Sequence, residues 1–304
     1  MSKKTFITQK QYWTKVAADW QLKGDPSRPS RDTVRLYNKF MAEALGTSLG
    51  KKVVVMGATP EIRDMLYKYY FLNRIKVVCA EWLPEMYYGM TELVNHKIPG
   101  EKFVKTNWLK MGFPNKSIDV FIADLIFGNI IDLPSKDLLL SKMNQKLKKG
   151  GYFILRHCYV VPKNKVVNVK KHLFNISKDV LTEKRTIKQV ATSFWTDLVI
   201  GSWFENKENK LSLYYYKKDI QDLKKYFSRK GLSYQARAAK LVFDYFLFLA
   251  KDHIARKFWV HYPRPIEEKL IKKYFVIKKT SFPQDYEAKI SEPIYLLQKR
   301  ELKK

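Results

Sequence analysis

One glycine and three acidic residues stand at intervals that suit a nucleoside-type ligand. Gly57 ends a short apolar stretch and can turn the chain tightly, so that backbone amides approach a bound molecule closely. Glu61 follows in the first turn of a predicted helix, where a carboxylate repels phosphate and favours a cation. Glu81 lies about 20 residues past the glycine turn, where an acid can accept hydrogen bonds from ribose hydroxyls. Asp124 ends another apolar stretch, so these residues predict a site for a positively charged nucleoside derivative.

The sign of that charge separates two classes of cofactor. S-adenosylmethionine carries an ammonium and a sulfonium, whereas NAD and FAD carry a diphosphate, which a helix N-terminus normally attracts. The full G-x-G-x-x-G of a dinucleotide fold is absent, because the loop reads Gly57-Ala58-Thr59-Pro60-Glu61. The pattern therefore favours S-adenosylmethionine. The alternative that Glu61 only complements the helix dipole stays open, and Glu81 would serve either cofactor.

An alternation of strands and helices positions these residues. Short apolar runs predict strands over 53–56, 75–80, 102–106, 118–123 and 152–155. Helices are predicted over 9–22, over 31–46 with Ser30 or Asp32 as cap, over 60–72 capped by Thr59, over 83–95, and from a Ser135 cap to Gly150-Gly151. The alternation predicts parallel strands with helices on both faces and a ligand beyond the carboxyl ends of the strands.

The second half of the chain interrupts this alternation. Residues 163–272 read as mostly helical, with a clear helix over 240–255, and strands follow over 273–279 and 293–299. The short link between the last two strands leaves no room for a helical crossover, so they should pair antiparallel. The fold class predicted is α/β, a Rossmann-like seven-stranded mostly parallel sheet with an antiparallel last strand and a helical insertion. The predicted parts are an N-terminal helical arm (1–50), a cofactor-binding core (51–162), the insertion or cap (163–272) and the last two strands (273–304).

Taken together, these stretches resemble the class I S-adenosylmethionine-dependent methyltransferases. The resemblance covers about residues 10–160 and 273–300, and its glycine loop is similar to that of a sub-group that writes G-x-T-P-E. It is carried by VVVMGATPEIRDML (53–66), VVCAEWLPEM (77–86), TNWLKMGFPNKSIDVFIADLIFGNI (106–130), LLSKMNQKLKKGGYFILR (139–156) and the closing PIYLLQKR.

The resemblance implies a role for each matching residue. The methionine part of the cofactor would lie against Gly57, Ala58 and Thr59, with its ammonium near Glu61. The ribose would lie at Glu81, and the adenine near Asn107 with Trp82 or Trp108 stacked on it. The methionine end or the acceptor would approach Asp124. Residues 125–128 lack the Asn/Asp-Pro-Pro-Tyr type of motif that marks methylation of base or amide nitrogens. No catalytic residue is assigned, although Asp124 and His157 stand where a general base could act.

Composition leaves a second class of function open. The chain has 58 Lys and Arg residues against 29 Asp and Glu, which gives a net charge of +29. This charge either attracts a polyanion or reflects a lysine-rich composition along the whole chain. Basic and aromatic residues interleave over 217–229 and 251–264, which would suit an RNA-binding protein or an RNA methyltransferase. A short-chain dehydrogenase is disfavoured, because the Tyr214/Lys218 pair occurs without the glycine-rich loop.

Further absences narrow the prediction. The two cysteines, Cys79 and Cys158, lack neighbours at metal-ligand spacing, so no metal is expected. No apolar run reaches the length of about 18 residues that a membrane span needs. Residues 1–10 lack the apolar core of a signal peptide, so a cytoplasmic protein is expected. The prediction is a methyltransferase that uses S-adenosylmethionine and acts on a small molecule, with the acceptor and the oligomeric state left open.

Overall fold

The structure is a computed structural model that describes residue 20 and residues 28–130, 132–159, 168–201, 210–211, 213–250, 259–285 and 292–301. Apart from Trp20, the helix predicted over 9–22 lies outside the described residues. The strands are β1 Lys52–Met56, β2 Lys76–Glu81, β3 Lys102–Lys105, β4 Ile118–Asp124, β5 Leu147–Arg156, β6 Lys210–Leu211, β7 Trp259–Val260, β8 Phe275–Ser281 and β9 Ile294–Lys299. The α-helices are α1 Arg31–Leu45, α2 Pro60–Asn73, α3 Pro84–Thr91, α4 Leu133–Lys146, α5 Val169–Leu181, α6 Ile187–Gly201, α7 Lys217–Phe227, α8 Tyr234–Ala250 and α9 Arg264–Tyr274.

Contacts divide the chain into two compact units. The sheet unit contains Trp13–Gln21, Pro29–Tyr159 and Tyr262–Lys304, and the helical unit contains Met1–Tyr12, Leu22–Arg28 and Val160–His261. The helical unit ends at His261, whereas the predicted insertion, 163–272, continues to residue 272. Helix α9 belongs to the sheet unit.

The sheet unit is built on a seven-stranded sheet with the order β3-β2-β1-β4-β5-β9-β8. The pairs β1–β2, β1–β4, β2–β3 and β4–β5 are parallel, while β9 runs antiparallel to both β5 and β8. Only β9 therefore opposes the other strands, which confirms the predicted fold class. An ordinary dinucleotide fold ends its sheet on a further parallel strand instead.

Both faces of this sheet are covered, which explains why its strands β1, β2 and β4 are mostly apolar. Val54 and Met56 of β1 pack with residues from α4 and α9, such as Leu140 and Ile271. Val53 and Val55 point the other way, into a second cluster formed with residues of α1 and α2. Successive residues of a strand alternate between faces, so this one strand supplies both cores.

Several local predictions were wrong. Asp132, rather than Ser135, caps α4, because its side chain accepts a hydrogen bond from the Ser135 amide. Gly150-Gly151 lies inside β5 rather than ending the helix, which stops at Lys146. Thr59 occupies the N-cap position of α2 but makes no capping hydrogen bond with its side chain. Helix α3 ends at Thr91, four residues before the predicted end, and β8 begins only at Phe275 because α9 continues to Tyr274.

The helical unit has a core of its own. Helices α5, α6, α7 and α8 contribute buried apolar residues, among them Leu173, Phe194, Leu223 and Phe243. Residues 213–216, which the sequence left undecided between strand and helix, form a short 3-10 helix. Helix α8 begins at Tyr234, earlier than predicted, and residues 251–255 lie outside the described residues. Within the described part of the chain, no helix has both the length and the apolar character needed to cross a bilayer.

Candidate cofactor site at the carboxyl edge of the sheet

Gly57 makes the turn that opens the site. Its φ is +95°, a conformation that side chains disfavour, and its amide donates to the Ala80 carbonyl at 3.0 Å. A methyl group added to its Cα would come within 4.0 Å of both the Oε2 atom of Glu81 and the indole of Trp108. The fold therefore brings Gly57, Glu81 and Trp108 together, as the sequence predicts.

Glu81 is a buried carboxylate at the end of β2. Its Oε1 atom accepts hydrogen bonds from the amides of Trp82 at 2.6 Å and Leu83 at 3.0 Å. Burial raises the pKa of Glu81, and these two amide bonds oppose that shift without cancelling it. The amides fix the carboxylate in place, so its second oxygen, Oε2, points at Gly57.

A short 3-10 helix, Trp108–Lys110, forms the next wall. Asn107 caps it by accepting the Leu109 amide at 2.9 Å, and the Trp108 indole donates to the Ala80 carbonyl at 2.9 Å. Both bonds hold the indole against the ends of β1 and β2. Trp82 differs in that its side chain is 53% exposed and free to cover a ligand. The predicted role of Asn107 near an adenine stays a prediction.

The first turn of α2 carries the second acid predicted near the ligand. Glu61 accepts a hydrogen bond at Oε1 from the Trp20 indole at 3.2 Å. Ala58 and Thr59, which lead into this turn, are both buried. The structure thus ties Glu61 to the segment before α1, which sequence patterns did not indicate, and its role toward an ammonium stays a prediction.

Asp124 is held by neighbours rather than exposed to a ligand. Its two oxygens accept from the Arg156 guanidinium at 2.6 and 3.0 Å, and Oδ1 also accepts from the Tyr37 hydroxyl at 2.5 Å. Arg156 is fully buried and reaches Glu292 as well, at 3.3 Å. Tyr37 and Glu292 were missed from sequence, since helical periodicity marks Tyr37 only as a core residue and nothing local marks Glu292. These partners already donate to both oxygens of Asp124. The predicted contact between Asp124 and a ligand stays a prediction.

A second buried polar cluster encloses His157. Its Nε2 atom is hydrogen bonded to Glu267, whose other oxygen pairs with Lys136, and all three side chains are at most 1% exposed. Burial lowers the pKa of Lys136, while Glu267 opposes that shift. In this geometry His157 links β5 to α4 and α9, and its role as a general base stays a prediction.

Metal ligands do not converge in the described residues, where no group of three His, Cys, Asp or Glu side chains could hold an ion. Cys79 and Cys158 are both buried free thiols. Burial raises the pKa of both thiols, which keeps them protonated and unreactive at neutral pH.

Comparison with known proteins supports the fold. The sequence matches no protein-family model and no curated protein. Among solved structures, the N-methyltransferase NodS from Bradyrhizobium japonicum WM9, crystallised with S-adenosyl-l-homocysteine, is similar at a TM-score of 0.50 and 7% identity over 96% of this chain and 98% of that one. The complex of the Haloferax volcanii Trm112 methyltransferase activator with the putative methyltransferase is similar at a TM-score of 0.50 and 11% identity. The match covers 95% of this chain and 98% of that one.

A third similar structure carries a different name. It is described as putative Zn-dependent alcohol dehydrogenases from Rhodobacter sphaeroides, with a TM-score of 0.54 and 12% identity over 95% of this chain and 97% of that one. Identities this low establish the fold alone, which is a Rossmann-like α/β fold. The chemistry of the site must therefore decide between functions.

Proposed function

We propose that this protein is an S-adenosylmethionine-dependent methyltransferase. The observation that carries the proposal is the Glu81 carboxylate, whose Oε2 atom faces the open side of Gly57 at the carboxyl edge of the sheet. Parallel sheets bind ligands at this edge, and an acid there suits the two hydroxyls of a ribose. Glu61 adds a second negative charge in the first turn of α2.

The residues present fit this cofactor better than they fit a dinucleotide. A diphosphate seated at the start of α2 would meet the carboxylate of Glu61, while an ammonium would be attracted by it. The absent side chain of Gly57 lets a ligand approach the backbone, and the Trp108 indole gives an apolar wall beside it. Exposed Trp82 supplies a surface on which a purine can stack.

The residues that the structure describes supply position and charge, and none of them stands out as an acid or base. S-adenosylmethionine supplies a methyl carbon that its sulfonium already activates, so transfer depends mainly on how donor and acceptor are aligned. Arg156 and Tyr37 hold the Asp124 carboxylate at the end of β4, and Glu267 holds His157. A nucleophile that loses its proton easily needs no base from either residue, which favours a small-molecule acceptor with an amine or thiol.

Isothermal titration calorimetry tests the proposal directly. Sinefungin and S-adenosylhomocysteine should bind, whereas NAD and NADP should not, because the loop carries a carboxylate where a diphosphate would sit. Labelled methyl donor mixed with fractionated cell extract should then place label in a small-molecule fraction. Binding of NAD together with no response to sinefungin would overturn the assignment.

A further inference from the structure

Helix α7 of the helical unit carries a row of exposed basic residues. Its apolar side is buried, with Ile220, Leu223 and Phe227 each at most 4% exposed. The opposite side and the turn that follows are exposed and basic. We call this surface the basic face and define it as Lys170, Lys217, Lys218, Lys224, Lys225, Arg229 and Lys230.

The described acidic side chains leave the cations of the basic face without ion pairs. Some exposed lysines of the sheet unit are paired: Lys148 with Asp119, Lys273 with Asp137 and Lys279 with Glu43. Others, such as Lys76, Lys102 and Lys149, have no ion pair with the described acids either. Helix α7 itself carries four of these cations, Lys217, Lys218, Lys224 and Lys225, and two carboxylates, Asp219 and Asp222. The surplus of positive charge on the basic face is therefore left to solvent, or to a partner.

Aromatic packing joins α5 to this face. The Phe174 ring of α5 packs on the rings of Tyr226 and Phe227. The Lys170 ammonium lies 3.6 Å from the centroid of the Tyr226 ring, and the Arg229 guanidinium lies 5.8 Å from it. Cation–π contacts such as these place both charges around the Tyr226 ring.

The pattern favours a nucleic acid over a membrane surface. An interfacial helix binds a bilayer by inserting its apolar side, and that side of α7 is buried in the protein. The exposed side of α7 offers charge to a partner instead of an apolar surface. Lys218 and Lys225 lie on one side of the helix about 10 Å apart along its axis. A strand of phosphates offers repeated negative charge along such a line.

We infer that the basic face of α5 and α7 binds a polynucleotide through its phosphates. The inference does not depend on methyl transfer, since it concerns the helical unit alone. Its contacts are with the backbone of the polynucleotide, so RNA and DNA strands of equal length bind with similar affinity. Affinity falls steeply with salt, because each neutralised phosphate releases counterions.

Fluorescence anisotropy with labelled U20 and dT20 at several salt concentrations tests this surface. For single strands the logarithm of affinity falls by about 0.7 per phosphate contact for each tenfold rise in salt, so seven cations give a slope of up to about −5. The variant Lys218→Gln/Lys225→Gln/Arg229→Gln should bind at least about tenfold more weakly at low salt, with a slope smaller by about 2.

A matched control removes three charges elsewhere. Lys76, Lys102 and Lys149 are exposed on the sheet unit, and their triple change to Gln should leave the affinity within about twofold. If the first variant is poorly folded by circular dichroism, Lys217→Gln/Lys224→Gln/Lys230→Gln tests the neighbouring row. Equal losses in the matched variants, a flat salt response, or sedimentation with phosphatidylserine vesicles without binding to U20 or dT20 would each overturn the inference.

Discussion

Replacing Glu81 by glutamine separates the two tasks of this carboxylate. Glutamine keeps an oxygen to accept the amides of Trp82 and Leu83, which lie 2.6 and 3.0 Å from Oε1. It loses the charge and the second acceptor, Oε2, that faces Gly57. Hydrogen bonds to a charged group contribute about 1.5–3 kcal/mol, so sinefungin should bind roughly 10- to 150-fold more weakly. Stability should change by only about 1 kcal/mol, because the lost charge also removes its cost of burial.

The pH dependence supplies an independent test of the same residue. Burial raises the pKa of Glu81 in the folded protein above its unfolded value. The stability that this group contributes is therefore complete below the unfolded pKa and is lost as pH rises through the folded pKa. Ligand binding runs the other way, because a protonated Glu81 accepts hydrogen bonds poorly. Affinity for sinefungin should fall as the pH is lowered through the raised pKa of Glu81 in the wild type, and fall less in Glu81→Gln.

Calorimetry at several pH values, with thermal unfolding alongside, measures both effects. Glu92→Gln is the matched control, since it removes one carboxylate whose side chain is 77% exposed and 3.8 Å from Lys97. The control should bind sinefungin like the wild type. Wild-type affinity in Glu81→Gln, with an unchanged pH profile, would refute the assignment of this carboxylate to the cofactor.

Two further substitutions test the rest of the site. Gly57→Ala should lower the free energy of unfolding by about 1–3 kcal/mol in urea titrations, because a side chain resists φ of +95°. As a control, Gly112→Ala places its methyl group in open space and should cost far less. Equal costs for the two substitutions would contradict this reasoning. Asp124→Ala should cost about 3–5 kcal/mol because it leaves Arg156 buried without its main partner, whereas Glu92→Gln should cost under about 1 kcal/mol. A loss for Asp124→Ala no larger than that of Glu92→Gln would show that the buried pair is not formed.

The sheet was predictable because its signal is local. The strands β1, β2 and β4 are short, mostly apolar runs that a glycine follows or an acid ends, and burial on both faces favours such runs. The antiparallel pairing of β8 and β9 also followed from a local feature, the short link between them. Gly57 and Glu81 meet because parallel neighbours place their carboxyl ends together.

Most features missed from sequence depend on distant contacts, but one miss was local. Asp132 and Ser135 are both ordinary capping residues, and Pro134 suits the first turn of a helix, which favours Asp132 as the cap. Gly151 resembles a helix stop, yet a side chain there would come within 3.0 Å of the Asp119 carbonyl, so the adjacent strand requires the glycine. The pairing of Asp124 with Arg156 arises because these residues are opposite one another in neighbouring strands, which no short-range pattern reveals.

The position of β9 between β5 and β8 has a consequence for how the protein is made. During translation, β5 leaves the ribosome long before β9, with residues 157–293 synthesised between them. Until β9 arrives, one side of β5 has exposed backbone groups that can pair with a strand of another molecule. We therefore expect a chaperone that shields this open edge to raise the yield of native protein.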